Sequence, residues 1–246
     1  MIAGLVMGLA VVFGMLLSCG SDDSDDHSGV ENNGKRVVEI TRSGVEYGYV
    51  QVYSLTYDPQ GRIVKYVEEY NGEPCGEAVY TYTENLITFK SFFGEKITSS
   101  YECSVENGRV VKKTIYPTSN SDSDVRYTYY DYDNDGYLHT ITSTSPYKKD
   151  NCIWGYGNLL KIGNDSFEYG DLTWRNIPFG FNLLSSEFDT FLQISGYYGK
   201  MPKNLPVKRI NSNGTTTYVY DVINGLIKSI TYVGKSCSDA YTYEWN

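Results

Sequence analysis

The chain has 246 residues, a formal net charge of −9, and 15% aromatic residues. This length suits one large β domain or two small ones. Five of the acids (Asp22, Asp23, Asp25, Asp26 and Glu31) lie between Gly20 and Gly34 without a base; setting them aside leaves the rest of the chain at −4. Such a mildly acidic body lacks the basic footprint that nucleic acid requires and gains little from an anionic membrane surface.

The first segment, Ile2 to Leu17, is uncharged throughout. It is short for a bilayer span, which needs about 20 apolar residues, but suits the core of a signal peptide. It runs into Leu16-Leu17-Ser18-Cys19, which resembles the bacterial lipobox. That resemblance implies cleavage before Cys19 and a lipid on its sulfur, so that residues 1–18 form a lipoprotein signal peptide. More than one acyl chain makes such an anchor stable, each buried CH₂ adding roughly 0.8 kcal/mol. No Lys or Arg precedes the apolar run, a departure from the ordinary signal. Residues 19–34 then read as an acidic flexible tether, since like charges and low hydrophobicity oppose packing. The run Gly20-Ser21-Asp22-Asp23-Ser24-Asp25-Asp26 also resembles the surface-export signal of Bacteroidetes lipoproteins, which implies the outer membrane and its outer face.

Residues 35–246 read as a single β domain. All 25 tyrosines fall after Lys35, and Tyr, Thr, Val and Ile favour pleated, half-buried surfaces. A short pattern recurs: an aromatic strand, a turn, Gly, then an apolar pair with a base. It is seen at Tyr57-Asp58-Pro59-Gln60-Gly61-Arg62-Ile63, Asn107-Gly108-Arg109-Val110, Asp133-Asn134-Asp135-Gly136-Tyr137-Leu138 and Asn224-Gly225-Leu226-Ile227, and in degenerate form at Gly157-Asn158-Leu159. Asn-Gly and Asp-Gly accept positive φ at low cost and close tight hairpins. The spacing predicts strands near 37–42, 46–57, 62–70, 77–82, 86–92, 96–106, 109–116, 125–132, 137–144, 152–156, 158–162, 166–169, 205–211, 215–222, 226–233 and 238–245. Within the irregular stretch 170–204, Ser186 and Asp189 suggest a capping box, and Phe188, Phe191 and Leu192 share a helical face. One short helix is expected there, covering an open end of the sheet.

Residues two apart share a strand face. Pairs such as Tyr80/Tyr82, Tyr127/Tyr129 and Tyr218/Tyr220 therefore predict tyrosine ladders with buried rings and wet hydroxyls. The expected fold is all-β, an antiparallel meander of hairpins forming a curved sheet or partly closed barrel. Strict alternation puts Arg62, Val64, Tyr66 and Glu68 on one face and Ile63, Lys65, Val67 and Glu69 on the other. Both faces then hold charge, which argues against lipid contact, because a charge at mid-membrane costs roughly 2–4 kcal/mol.

Three segments, Leu55 to Lys65, Gly199 to Pro206 and Tyr218 to Trp245, together resemble a family of Bacteroidetes lipoproteins of unknown function described as having a porin-like β fold. The hairpins also resemble the YD repeats of larger secreted bacterial proteins. Both resemblances imply fold, and neither implies a chemistry.

The residues offer little sign of catalysis, and the expectation is a protein that is not an enzyme and has no cofactor. His27 lies in the tether and His139 in a strand, each without an evident partner for a nucleophilic system. Glu68 and Glu69 point to opposite faces, wrong for a glycosidase pair. Asp131, Asp133 and Asp135 match the first half of a calcium loop, but the twelfth position is Thr142 rather than Glu, and a structural turn is the simpler reading. Cys75, Cys103, Cys152 and Cys237 allow either two disulfides or buried thiols. Trp154, Tyr156, Trp174, Tyr197 and Tyr198 are the candidate ligand-binding residues, as rings that would stack on sugars, with packing of the sheet end as the competing reading. The leading expectation is a non-catalytic surface lipoprotein that binds an extracellular glycan or protein partner. The alternative is a structural or assembly partner in a cell-envelope complex, pairing through an open sheet edge.

Overall fold

The computed structural model describes residues 35–44, 48–117, 124–173, 189–235 and 238–246; the segment 1–34, where the signal peptide and tether are expected, lies outside them. Sixteen strands follow in chain order: β1 (Val37–Gly44), β2 (Val50–Tyr57), β3 (Ile63–Tyr70), β4 (Glu73–Tyr82), β5 (Leu86–Phe93), β6 (Lys96–Glu106), β7 (Arg109–Tyr116) and β8 (Arg126–Tyr132). The second half comprises β9 (Leu138–Thr144), β10 (Tyr147–Gly155), β11 (Asn158–Ile162), β12 (Asp165–Thr173), β13 (Asn204–Asn211), β14 (Gly214–Ile223), β15 (Leu226–Val233) and β16 (Ser238–Trp245). They match the expected segments one for one, although β4 and β10 begin four and five residues earlier than the pattern suggested, β2 begins four later and β12 ends four later. Each strand pairs antiparallel with its neighbours in sequence and β1 pairs with β16, so the sheet is a closed barrel.

The recurring sequence pattern all falls at one rim, hereafter the near rim. It holds the turns entering each odd-numbered strand, and there the two ends of the domain meet: Asn246 N–H donates to Arg36 O at 3.0 Å. The turn chemistry is as expected. Asn107 and Asn224 take φ near +50°, each followed by a glycine at positive φ, the combination a tight hairpin with matching twist requires.

Just inside the near rim, Val37, Ile63, Ile87, Val110, Leu138, Leu159 and Ile227 stand in a ring, one from each of seven odd strands and none more than 3% exposed, and buried Pro206 takes the same place in β13. Next to this ring, seven of the eight odd strands carry an extra residue opposite the preceding strand: Val38, Val64, Val111, His139, Leu160, Val207 and Lys228. Such a bulge bends the strand and raises its twist. It also lets the odd strand diverge from the strand that follows, so their ladder stops short of the ring; β3–β4 pairing, for example, stops at Lys65–Val79.

An aromatic side chain bridges each divergence. Tyr57 Oη donates to Val37 O (2.6 Å), Tyr82 to Ile63 O (2.7 Å), Tyr132 to Val110 O (2.8 Å), Tyr169 to Leu159 O (2.6 Å) and Tyr220 to Pro206 O (2.6 Å). Trp154 Nε1 donates to Leu138 O (2.8 Å) and Trp245 Nε1 to Ile227 O (3.0 Å). A buried carbonyl left unpaired costs about 1–3 kcal/mol, which is why a ring with a polar tip stands at each of these places. The exception follows the same logic. Strand β5 has no such bulge, its ladder with β6 reaches Leu86–Ser104, Val105 N–H donates to Asn85 O at 2.9 Å, and Val105 stands where the other units have a ring. The expected wet hydroxyls are therefore corrected at these positions: the phenols close the ends of strand pairs. The residue before the aliphatic often covers the bridging ring, as Arg36 does Tyr57, Arg62 does Tyr82 and Arg109 does Tyr132.

The bulges also correct the expected strand faces. With Val64 as the extra residue, Ile63, Tyr66 and Glu68 face inward while Lys65, Val67 and Glu69 face outward. Inward rings such as Tyr53, Tyr80, Phe89, Tyr101, Tyr130, Tyr218 and Tyr243 are buried; Phe89 and Tyr101 stack at 4.5 Å. Sixteen strands enclose enough room for an aqueous channel in ordinary porins. Here, among the described residues, large rings project into that space and are buried there. The outward face carries charge at mid-strand: Glu102, and the ion pairs Lys65–Glu77 (2.5 Å) and Lys208–Glu168 (2.7 Å).

Candidate functional site

The helix α1 (Thr190–Ile194) lies within the barrel and does not cover an open sheet end. Its N-cap is Asp189, whose Oδ1 accepts Leu192 N–H at 2.9 Å. The expected capping partner Ser186, like Phe188, lies outside the described residues. Asp189 Oδ2 accepts Tyr80 Oη at 2.8 Å and also the hydroxyl of Tyr101. Phe191 packs on Tyr66 (5.1 Å between ring centres) and Tyr80 (6.2 Å). One carboxylate thus ties the inserted segment to β4 and β6 while serving as the helix cap. Burial, with Asp189 next in effect, pushes the Tyr80 and Tyr101 hydroxyls well above the ordinary tyrosine range. Gln193 is buried, with neither side-chain polar atom paired.

After the helix, the chain continues along the wall between β7 and β9. Val110 N–H donates to Tyr197 O at 2.8 Å, and Lys200 N–H to Gly136 O at 3.0 Å. Gly199 has φ +77°, and a side chain there would strike Gly136 O and the Tyr132 ring. The expected motif Gly199-Lys200-Met201-Pro202 is therefore a strap that must pass close to the β8–β9 turn.

The five candidate aromatics do not form one face. Trp154 is a near-rim bridge, packed on Tyr137 at 4.7 Å. Tyr197 stacks on Tyr82 at 6.0 Å, and Tyr198 is 1% exposed against Tyr130. Tyr156 stands alone at the β10–β11 turn, 98% exposed, with φ +55°. Trp174 lies outside the described residues.

The three aspartates of the half calcium loop likewise fail to converge. Asp133 Oδ1 accepts the N–H groups of Asp135 (3.0 Å) and Tyr137 (2.9 Å), shaping the turn, while Asp131 Oδ2 accepts Thr140 Oγ1 (2.7 Å) on the outer wall. Among the described residues no three His, Cys, Asp or Glu side chains are placed to hold a metal. Cys75, Cys103 and Cys152 are free thiols, and Cys237 lies outside the described residues. Burial pushes Cys103 and Cys152 up to about 12, which keeps both thiols protonated and unreactive near neutrality.

A cleft of about 580 Å³ opens on the outer wall where β7 and β8 diverge. Their ladder ends at Lys112–Tyr129. Glu106, Arg109, Lys112, Tyr129, Asp131 and Asp133 line the space beyond it. Tyr129 is 40% exposed, and Lys112 Nζ lies 5.8 Å from its ring centre. The sequence paired Tyr127 with Tyr129 on one face, but the divergence that makes the cleft comes from the bulge at Val111, which has no residue signature.

No protein-family model matches the chain, and comparison with curated proteins finds no match. Solved structures share its fold, two of them described as porin-like. A porin-like protein from Bacteroides uniformis superposes with a TM-score of 0.63 at 12% identity, covering 85% of this chain and 96% of that one. A porin-like protein from Bacteroides vulgatus gives 0.58 at 15% identity, covering 85% and 98%. The chain thus has a porin-like β-barrel fold.

Proposed function

We propose that this barrel is a lipid-tethered, water-exposed binding module at the outer membrane, non-catalytic and not a conduit. The observation that supports this reading is the polarity of the wall. Rings face inward around an inserted helix, while Lys65, Glu77, Glu102, Glu168 and Lys208 face outward. A lipid-facing barrel needs the reverse, an outer apolar band about 25 Å tall. A wall that does not enter lipid needs another attachment, and the Leu16-Leu17-Ser18-Cys19 sequence supplies one. The acidic run after Cys19 supports a place on the outer face. The non-catalytic reading draws on Glu68 and Glu69, which face opposite sides of the wall, and on His139, an exposed bulge residue. The assembly alternative loses its open sheet edge, because the barrel closes.

The test is metabolic labelling with an alkyne fatty acid, together with protease treatment of intact cells. We expect label on the wild type, none on Cys19→Ser, and cleavage of the wild type from outside. An unlabelled wild type, or one protected while other surface lipoproteins are cleaved, would contradict the tethered reading.

A further inference from the structure

We infer that the cleft at the β7–β8 divergence is a binding site for a neutral, hydroxyl-rich saccharide; the inference rests on the binding-module reading above and gives it a location. The cleft volume of about 580 Å³ falls within the range of small-molecule sites, about 300–1,000 Å³. Its lining mixes donors and acceptors at short spacing, with Arg109 and Lys112 beside Glu106, Asp131 and Asp133. The two cations and three carboxylates nearly cancel, which disfavours a polyanion, and so many charges disfavour an apolar ligand. The same carboxylates do not converge as metal ligands. Tyr129 adds a half-exposed ring at the cleft wall, a flat surface for the apolar face of a pyranose.

Two further features suit a hydroxyl-bearing guest. Beyond Lys112–Tyr129 the two strands share no paired residues, although the Val110 N–H and C=O are taken by Tyr197 and Tyr132. Asp131 uses only Oδ2, on Thr140, leaving Oδ1 to accept a hydroxyl. The chemistry is reversible binding, with no bond made or broken.

The experiment is calorimetric titration of the full chain in mild detergent with a panel of neutral malto-, cello-, manno- and xylo-oligosaccharides. The same titration is run on Tyr129→Ala, Tyr129→Phe, Lys112→Ala and Tyr156→Ala. We expect saturable binding of at least one oligosaccharide by the wild type. Tyr129→Ala should weaken it at least tenfold and Lys112→Ala measurably. Tyr129→Phe, which keeps the ring, and Tyr156→Ala, at the distant turn, should retain it. Binding that survives both Tyr129→Ala and Lys112→Ala would overturn the cleft assignment and leave the binding-module reading standing. A wild type that binds none of the panel would overturn both. Tyr129 lies on the outer wall, so near-ultraviolet circular dichroism should show the variants folded.

Discussion

Replacing Asp189 by Ala should lower the unfolding free energy by about 3–5 kcal/mol, measured as the midpoint and slope of urea denaturation. The carboxylate accepts from Leu192 N–H, Tyr80 Oη and Tyr101 Oη. Loss of an N-cap alone costs about 1 kcal/mol. A hydrogen bond to a charged group is worth about 1.5–3 kcal/mol, and a buried hydroxyl left unpaired adds its own desolvation cost. Both phenols are within the core, so water cannot easily replace Asp189. Asp189→Asn keeps an acceptor oxygen and should cost less, about 1–2 kcal/mol. An Asp189→Ala variant within 1 kcal/mol of the wild type would mean that the inserted segment is not held by this carboxylate.

Raising the pH should unfold the barrel cooperatively above about pH 10, the ordinary tyrosine range. Burial pushes Tyr80, Tyr101, Tyr198, Tyr232 and Tyr243 well above that range in the fold, and raises the bridging phenols Tyr57, Tyr82, Tyr132, Tyr169 and Tyr220 as well. Between the two ranges the folded state binds more protons than the unfolded state, so stability falls as pH rises. The stabilisation from keeping these phenols neutral is complete below about pH 10 and is lost progressively above it. Tyrosinate absorbance and near-ultraviolet circular dichroism should therefore change together for the buried rings. Reversible ionisation of all tyrosines near pH 10 with unchanged near-ultraviolet dichroism would contradict the burial of these phenols.

The sixteen strands were legible because turns such as Asn107-Gly108 and Asn224-Gly225 have a backbone requirement that few other residue pairs meet. The closure of β1 on β16 was only half legible, since nothing in either strand's pattern distinguishes an edge from a seam. The bulges were not legible. Val38, Val64, Val111, Leu160 and Val207 are branched aliphatics, but His139 and Lys228 fill the same place, so residue type does not mark the bulge; what all seven share is position relative to a partner strand. Strict alternation therefore placed Ile63 with Lys65, whereas the extra residue at Val64 turns Ile63 inward. The bridging role of Tyr82 and Tyr220 was hidden for a similar reason: each acceptor carbonyl lies 14 or 19 residues earlier in the chain. The same limit applies to the site. Trp154, Tyr197 and Tyr198 drew attention as aromatics around an irregular segment, but two are tied into near-rim packing and one is core. The cleft at β7–β8 draws on residues from three strands that no single motif brings together.

The account depends most on which side of the wall faces water, and solubility without lipid measures that directly. A chain starting at Gly20, lacking both the apolar N-terminal segment and Cys19, should purify without detergent as a monodisperse β protein with a cooperative melt. It should add no ion conductance to a planar bilayer. A chain that stays with membranes, needs detergent to remain in solution or opens conducting pores would contradict a barrel with buried rings inside and a charged outer wall.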